Sequence, residues 1–461
     1  MPHACAGAVR AGMRASEAVS FLGENVMELS KQKVEGYIIS EEKKITEELN
    51  NMLYRQKKDT YIRNYDGVGF ILSTRNAKDM MVNASGAVFL SALTCETQTL
   101  DELVDKIIQS FSGADRKTIR QDAEEFYDIL VENGFIVKGE NEEEVNEKDC
   151  PPAAEMTSIR VYVTERCNAN CPSCVNANAR GASEMPADKF KQLCEYLSKN
   201  GIKYLKIMGG EPTIHNDFET LIGIAQEHFP EITIFTNGIN ERIKNIKLRE
   251  KDCVTYNFLF NRTLSERNLF LENGGSRALQ VQVLKDCDES ALANRIVELA
   301  KIDEEKVGVL LSFDCKSNIF KDKDILVKKL SHIENVLIHN NIHIQYDHKI
   351  PSCFLFGENL HVNNDGMCTV DIAGVIDSDL TLRYCNQNPD KILPLYGSDG
   401  FVEWDILLNH LYKCYYSLRA RALDKICSEC RLFNRNCNGG CWITKDNITR
   451  EDIVSNTKLF P

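Results

Sequence analysis

The spacing of apolar positions changes several times along this chain. Residues 28–58 are rich in Glu and Lys with sparse apolar positions, a pattern that predicts a solvated helix or two acting as a connector. From Tyr61 the pattern shortens. The stretch "YIRNYDGVGFILSTRNAKDMMVNASG" holds brief apolar runs punctuated by Asp66-Gly67, Asn76, Asn83 and Gly86, which predicts two or three small strands with tight turns. Helical stripes follow: Leu100, Leu103, Val104, Ile107, Ile108 and Phe111 form one, and Ile119, Ala123, Phe126, Tyr127, Leu130 and Val131 form another. Gly134 stops the second helix, and "FIVK" reads as a returning strand. A hairpin followed by three short helices is a winged-helix outline over residues 60–138, behind a tail and connector of residues 1–59.

Residues 139–155, including "GENEEEVNEKDCPP", are acidic and closed by two prolines, and read as a linker. Strand-like runs then alternate with helical stretches from Ser158 to about residue 350: "SIRVYVT", "YLKIMGG", "ITIFTNG", "VTYNFLF", "ALQVQVL", "VGVLLSF" and "IHIQYDH". That order predicts an α/β domain over 156–350, a parallel sheet with crossover helices, open or partly closed as a barrel. In such folds functional groups gather beyond the carboxyl ends of the strands. Cys167 to Cys174, and Gly209-Gly210-Glu211, both fall there. Residues 351–461 lose the alternation and become dense in cysteine.

The chain has 461 residues, enough for two to four compact units. No run of about 18 apolar residues exists to span a bilayer, so no membrane association is expected. The net charge of -13 argues against non-specific binding to phosphate backbones, and no nucleic-acid partner is expected. Eighteen cysteines without a sustained apolar stretch in "MPHACAGAVRAGMRASEAVS" point to a reducing, cytoplasmic setting, where thiols are metal ligands, catalysts or core filler. That start reads equally as a transit peptide or as a loose tail and is given no function.

Cys167, Cys171 and Cys174 form a C-x3-C-x2-C array. The spacing fits one face of a helix, but Asn168, Asn170, Pro172 and Ser173 make a poor helix interior, so a loop curling three thiolates round one centre is expected. A structural zinc takes four protein ligands, whereas three closely spaced thiolates suit an iron-sulfur cube with one iron left open. The "MGGEPT" stretch, with Gly209, Gly210, Glu211 and Pro212, would taken alone be an ordinary turn before a helix.

Together these features resemble the radical S-adenosylmethionine (radical SAM) enzymes. C-x3-C-x2-C after the first strand is their cluster motif, "GGE" after the next strand resembles the segment that receives the methionine amino group, and "TNG" at Thr236, Asn237 and Gly238 is also similar to the family. One departure is Ser173, where an aromatic residue often precedes the last cysteine. The resemblance implies a partial (βα)6 TIM-like barrel with a 4Fe-4S cluster on Cys167, Cys171 and Cys174, and S-adenosyl-L-methionine held through Gly209, Gly210, Glu211, Pro212, Thr236 and Asn237. It also implies reduction by a donor such as flavodoxin or ferredoxin, giving a 5'-deoxyadenosyl radical that abstracts hydrogen from substrate. The protein's part is orientation: the glycines permit close backbone approach, and Glu211 offers a carboxylate to an ammonium.

The segment "CSECRLFNRNCNGGC" would by itself suit a structural zinc, an iron-sulfur cluster or unligated cysteines. Beside the first motif it resembles the SPASM extension of radical SAM enzymes, which implies one or two auxiliary 4Fe-4S clusters. Carried over by position, Cys368, Cys385 and Cys441, with Cys353 as a fourth, would bind one cluster; Cys427, Cys430 and Cys437 would bind the other. Leu380 stands where that pattern has a glycine, and no cysteine follows Cys441, which leaves Cys414, Asp446 or Asp452 as substitutes or an iron open. Cys5, Cys95, Cys150, Cys194, Cys253, Cys287 and Cys315 are expected to be packing or incidental.

A winged-helix outline most often reads nucleic acid, but "DRKTIRQDAEEFYDILVENG" becomes acidic toward its end, a weak recognition helix. Residues 61–138 resemble the PqqD-like precursor-recognition domain of peptide-modifying maturases. The resemblance implies a precursor peptide whose leader is added as a strand along Asp79 to Val82, against the helix from Ile119 to Val131. The expected activity is radical SAM installation of an oxidative cross-link, thioether or carbon-carbon, in a ribosomally made peptide. A maturase of a protein substrate, of the sulfatase formylglycine type, and a zinc-stabilised winged-helix regulator remain alternatives.

Overall fold

The computed structural model describes residues 52–140 except 66 and 74–77, 155–258 except 172–173 and 175–180, 274–301, 307–313, 321–346, 354, 374–422 except 387 and 389, and 451. Two bodies emerge, one of residues 1–71 with 82–152 and one of residues 72–81 with 153–461.

The smaller body begins earlier than the apolar pattern suggests. Its elements are β1 (Leu53–Gln56), β2 (Thr60–Tyr65), β3 (Val68–Ser73), β4 (Lys78–Val82), α1 (Ala84–Ala92), β5 (Gln98–Thr99), α2 (Leu100–Ile108), α3 (Arg116–Glu132) and β6 (Ile136–Gly139), with β4 and the end of β3 counted in the larger body. The helical connector expected over 28–58 is corrected at its end, because Leu53–Gln56 is the middle strand of a sheet, antiparallel to both β5 and β6. Tyr54 explains the choice: its ring is fully buried and lies 5.6 Å from that of Tyr127. A single aromatic in a polar stretch gives no period to read. The expected helices start on side-chain caps. Asn83 accepts from the Gly86 amide, Asp115 from the Thr118 amide, and Thr99 with Glu102 makes a reciprocal capping box. Leu100, Leu103, Val104 and Ile107 are buried as a stripe, as are Ile119, Ala123, Tyr127 and Leu130.

In the larger body all seven strand-like runs are strands: β7 (Ser158–Tyr162), β8 (Tyr204–Met208), β9 (Glu231–Thr236), β10 (Cys253–Phe258), β11 (Ser276–Val283), β12 (Val307–Phe313) and β13 (His343–Tyr346). They pair in parallel and in chain order, one more than the six-unit barrel expected. Between them run α4 (Ala187–Lys199), α5 (Phe218–His228), α6 (Glu289–Ala300) and α7 (Lys323–His339). Phe190, Leu193, Cys194 and Leu197 on α4, and Phe218, Leu221, Ile222 and Ala225 on α5, repeat the same i, i+3, i+4, i+7 burial. Burial pushes the Cys194 thiol well above its ordinary pKa, in keeping with a packing role; Cys95, by contrast, is exposed.

The sheet does not stop at β7. Beyond it lie β14 (Val375–Ile376), parallel to β7, then β15 (Thr381–Arg383) and β16 (Lys391–Pro394), antiparallel. One sheet therefore crosses the boundary drawn at residue 350. A bidentate pair holds this extension: Arg383 donates to both Asp377 oxygens at 2.7 Å, and its guanidinium lies 5.0 Å from the Tyr162 ring centre. A small hairpin, β17 (Tyr396–Gly397) with β18 (Gly400–Phe401), and the helix α8 (Trp404–Ala422) follow. Among the described residues no helix is long and apolar enough to cross a membrane.

The turn between β14 and β15 holds Leu380 in a left-handed conformation that ordinarily favours glycine. Leu380 has φ 60°, donates its amide to Asp377 at 2.9 Å, and accepts from the Leu395 amide at 2.8 Å. The left-handed region costs a residue with a Cβ about 1–2 kcal/mol. Leu380 offsets that by burying its side chain, which is 8% exposed. Leu380→Ala should therefore be less stable than Leu380→Gly by about 1 kcal/mol in denaturant unfolding, the reverse of the usual order at a buried site; equal midpoints or the usual order would contradict this reading.

Candidate active site

The ends of β7 and β8 are stitched together by backbone. Val163 donates its amide to Met208 O at 2.9 Å, Gly210 to Thr164 O at 2.7 Å, and Glu211 to Arg166 O at 2.8 Å. Such proximity excludes side chains. A Cβ on Gly209 would lie 2.6 Å from Thr164 O, and one on Gly210 would lie 2.1 Å from Arg166 O. The glycines let the "GGE" turn lie against the three residues that lead into Cys167.

Glu211 then joins this turn to the end of β9. It is 1% exposed, and its carboxylate accepts from four donors. Oε1 takes the Thr213 amide at 3.1 Å and the Thr213 and Thr236 hydroxyls at 2.6 Å each, while Oε2 takes the Asn237 amide at 2.7 Å. Burial holds its pKa above the ordinary carboxylate value, and the hydrogen bonds from Asn237, Thr213 and Thr236 pull the other way. Both oxygens face internal donors, so the residue fixes the turn's backbone. Pro212 opens the short 3-10 turn Pro212–Ile214 that follows.

The described residues between Cys167 and Cys174 adopt no helix, as the proline and asparagines require. All three cysteines are partly exposed thiols, and the Cys174 amide donates to Cys171 O at 3.2 Å. Ala169 is buried between exposed Asn168 and Asn170 and anchors the loop. Asn237 donates its side-chain amide to Asn168 Oδ1 at 2.8 Å, so the loop is also bonded to the "TNG" segment. Among the described residues no three His, Cys, Asp or Glu side chains converge on a point as a single metal ion requires. A cubane makes a different demand, since each thiolate binds a separate iron. Three partly exposed thiols outside any helix fit that demand by donor type. Cys385 lies partly exposed just after β15, and Cys414 is partly exposed on α8. Cys353, Cys368, Cys427, Cys430, Cys437 and Cys441 lie outside the described residues.

An outer layer that motif spacing does not reveal holds the turn from behind. Arg166 donates to Ile214 O at 2.8 Å and pairs with Glu184, which accepts from Asn216 at 2.8 Å. Arg242 pairs with Glu219 and reaches the carbonyls of Thr213, His215 and Asn216. His215 is buried between Met185 O and the Asp217 amide, each at 3.0 Å, an arrangement that places its proton on Nε2. Apart from the Asp217 amide, each of these partners is at least 18 positions away, so only the fold brings them into view.

The Radical SAM superfamily model matches residues 161–258, the span that holds the cysteine array, the glycine turn and the end of β9. The chain carries a radical SAM domain. The model for coenzyme PQQ synthesis protein D (PqqD) matches residues 70–136, ahead of the radical SAM domain. A probable GTP 3',8-cyclase of Archaeoglobus fulgidus is 27% identical over 176 residues, 37% of this chain and 59% of that protein. Mycofactocin maturase MftC of Mycobacterium ulcerans is 27% identical over 154 residues, 33% of this chain and 41% of that one. The chain thus spans less than two thirds of the length of either relative. The crystal structure of Streptococcus suis SuiB bound to precursor peptide SuiA aligns with TM-score 0.48 at 13% identity, covering 87% of this chain and 99% of that chain.

Two substitutions in the radical SAM domain, Gly210→Ala and Glu211→Gln, test the stitching, and Gly223→Ala serves as the contrast. Gly210→Ala should weaken S-adenosylmethionine binding by at least about tenfold, roughly 1.4 kcal/mol, in anaerobic equilibrium titration. Gly223→Ala, in α5 where a Cβ meets nothing within 4 Å, should instead raise stability by about 0.5–1 kcal/mol. Glu211→Gln leaves one backbone amide facing an NH2 group, whichever way the new amide turns. It should cost about 1–3 kcal/mol in chemical denaturation, and an unchanged midpoint would show that the four-donor arrangement is not needed.

Proposed function

We propose that this protein is a radical SAM maturase that modifies a ribosomally made precursor peptide, with the segment matched by the PqqD model receiving the peptide's leader. The observation that carries the reading is one chain with two matches, a PqqD model over 70–136 and a Radical SAM model over 161–258 in which the segment leading into the cysteine loop is bonded to the glycine turn. When bound, S-adenosylmethionine and a 4Fe-4S cluster supply a hydrogen-abstracting radical. Cys167, Cys171 and Cys174 hold the cluster. The backbone of Gly209 and Gly210 would receive the methionine end of the cofactor, and Glu211 fixes that backbone through Thr213, Thr236 and Asn237.

Auxiliary clusters on Cys353, Cys368, Cys385 and Cys441, and on Cys427, Cys430 and Cys437, are part of the proposal, as are a cytoplasmic setting and a flavodoxin- or ferredoxin-type donor. The product proposed is an oxidative cross-link, thioether or carbon-carbon. For the leader, strand β4 offers backbone, since an extended peptide gains affinity by strand addition and specificity from neighbouring pockets.

Replacing Cys167, Cys171 and Cys174 by Ala should abolish 5'-deoxyadenosine formation; persistence of that product would refute the ligand assignment. Coexpression under anaerobic conditions with a short peptide encoded beside the gene should remove two hydrogens from the peptide, read by mass spectrometry. Deleting residues 1–139 should weaken this modification while S-adenosylmethionine cleavage continues, and undiminished modification would remove the recognition role.

A further inference from the structure

Asn168 follows Cys167 directly, and Asn237 follows β9 directly, so 69 positions of sequence separate two side chains that meet at 2.8 Å. The direction of that bond is fixed by its surroundings. Asn237 Oδ1 accepts from the Ile239 amide at 3.0 Å, which leaves Nδ2 to face Asn168 and obliges Asn168 to present its oxygen. The backbone amide of Asn237 is meanwhile held by Glu211 Oε2 at 2.7 Å. Asn237 is 8% exposed, so its amide is set by the fold and not by solvent. A continuous path results: glycine turn, Glu211, Asn237, Asn168, and then the first cysteine of the loop.

We infer that Asn168 is a positioning residue, whose side-chain oxygen takes the Asn237 amide and so sets the Cys167 end of the loop in register with the glycine turn. The inference rests on the proposed function, and it makes the register depend on an acceptor at position 168. The backbone contacts of Gly210 and Glu211 reach no farther along the loop than Arg166. Beyond that residue Ala169 anchors the loop by burial, and the amide pair ties it to the end of β9. Loss of one such hydrogen bond corresponds to an effect of about three- to tenfold.

The test uses the full chain, reconstituted anaerobically with iron and sulfide, and two variants. Asn168→Leu keeps the side chain's size and removes the acceptor. It should take up iron as the unaltered protein does, melt within a few degrees of it, bind S-adenosylmethionine about three- to tenfold more weakly, and show a smaller change in the reduced cluster's EPR spectrum on adding it. Asn168→Asp keeps an acceptor and adds a negative charge, so affinity should stay within about twofold of the unaltered protein while the cluster's midpoint potential falls. Asn168→Leu with unchanged affinity and spectrum overturns the inference, as does Asn168→Asp that binds as weakly as Asn168→Leu. An unaltered protein that takes up iron and sulfide but no S-adenosylmethionine overturns the functional reading instead.

Discussion

Two hydrogen atoms in place of two β-carbons allow the turn after β8 to lie against the end of β7, and the arrangement of the site follows from that contact. With Gly210 N at 2.7 Å from Thr164 O and Glu211 N at 2.8 Å from Arg166 O, the turn has no freedom to slide along its neighbour. Glu211 is then delivered to a place where only hydrogen-bond donors surround it, and its carboxylate draws Thr236 and Asn237 inward. A buried carboxyl without a cation is costly unless nearly every lone pair is used, and four donors meet that demand. The same contact passes the position of β8 to the segment preceding Cys167.

How much of this was readable from sequence depended on the range over which each feature acts. Strands β7 to β13, the stripes on α2 and α3, and the loop character of Cys167 to Cys174 are local, set by period, by proline and by asparagine, and they fall where the pattern places them. The glycine turn was readable as a turn. Its closeness to Thr164 and Arg166 was not, because that requires the parallel pairing of β7 with β8. The internal donors of Glu211 were hidden for the same reason: Thr236 and Asn237 stand 25 and 26 positions away.

Features that depend on a single residue in an uninformative stretch were lost. Tyr54 makes β1 a central strand, yet its neighbours Arg55 and Gln56 carry no alternation to announce it. Leu380 shows the converse. A leucine announces no left-handed turn, yet the backbone there has φ 60° and the side chain supplies burial in compensation. Arg166 and Arg242, which clamp the glycine turn from outside, resemble any surface arginine until their acceptors are in place.

The extension β14 to β16 alters the standing of β7. In a sheet ending at β7, the strand that carries the cysteine loop would be an edge, with one row of amides and carbonyls open to water or to another chain's strand. With Val375 and Ile376 paired to Arg160 and Val161, β7 is an interior strand. Its paired amides should exchange slowly, and the loop it carries springs from an interior strand of the sheet and not from its margin.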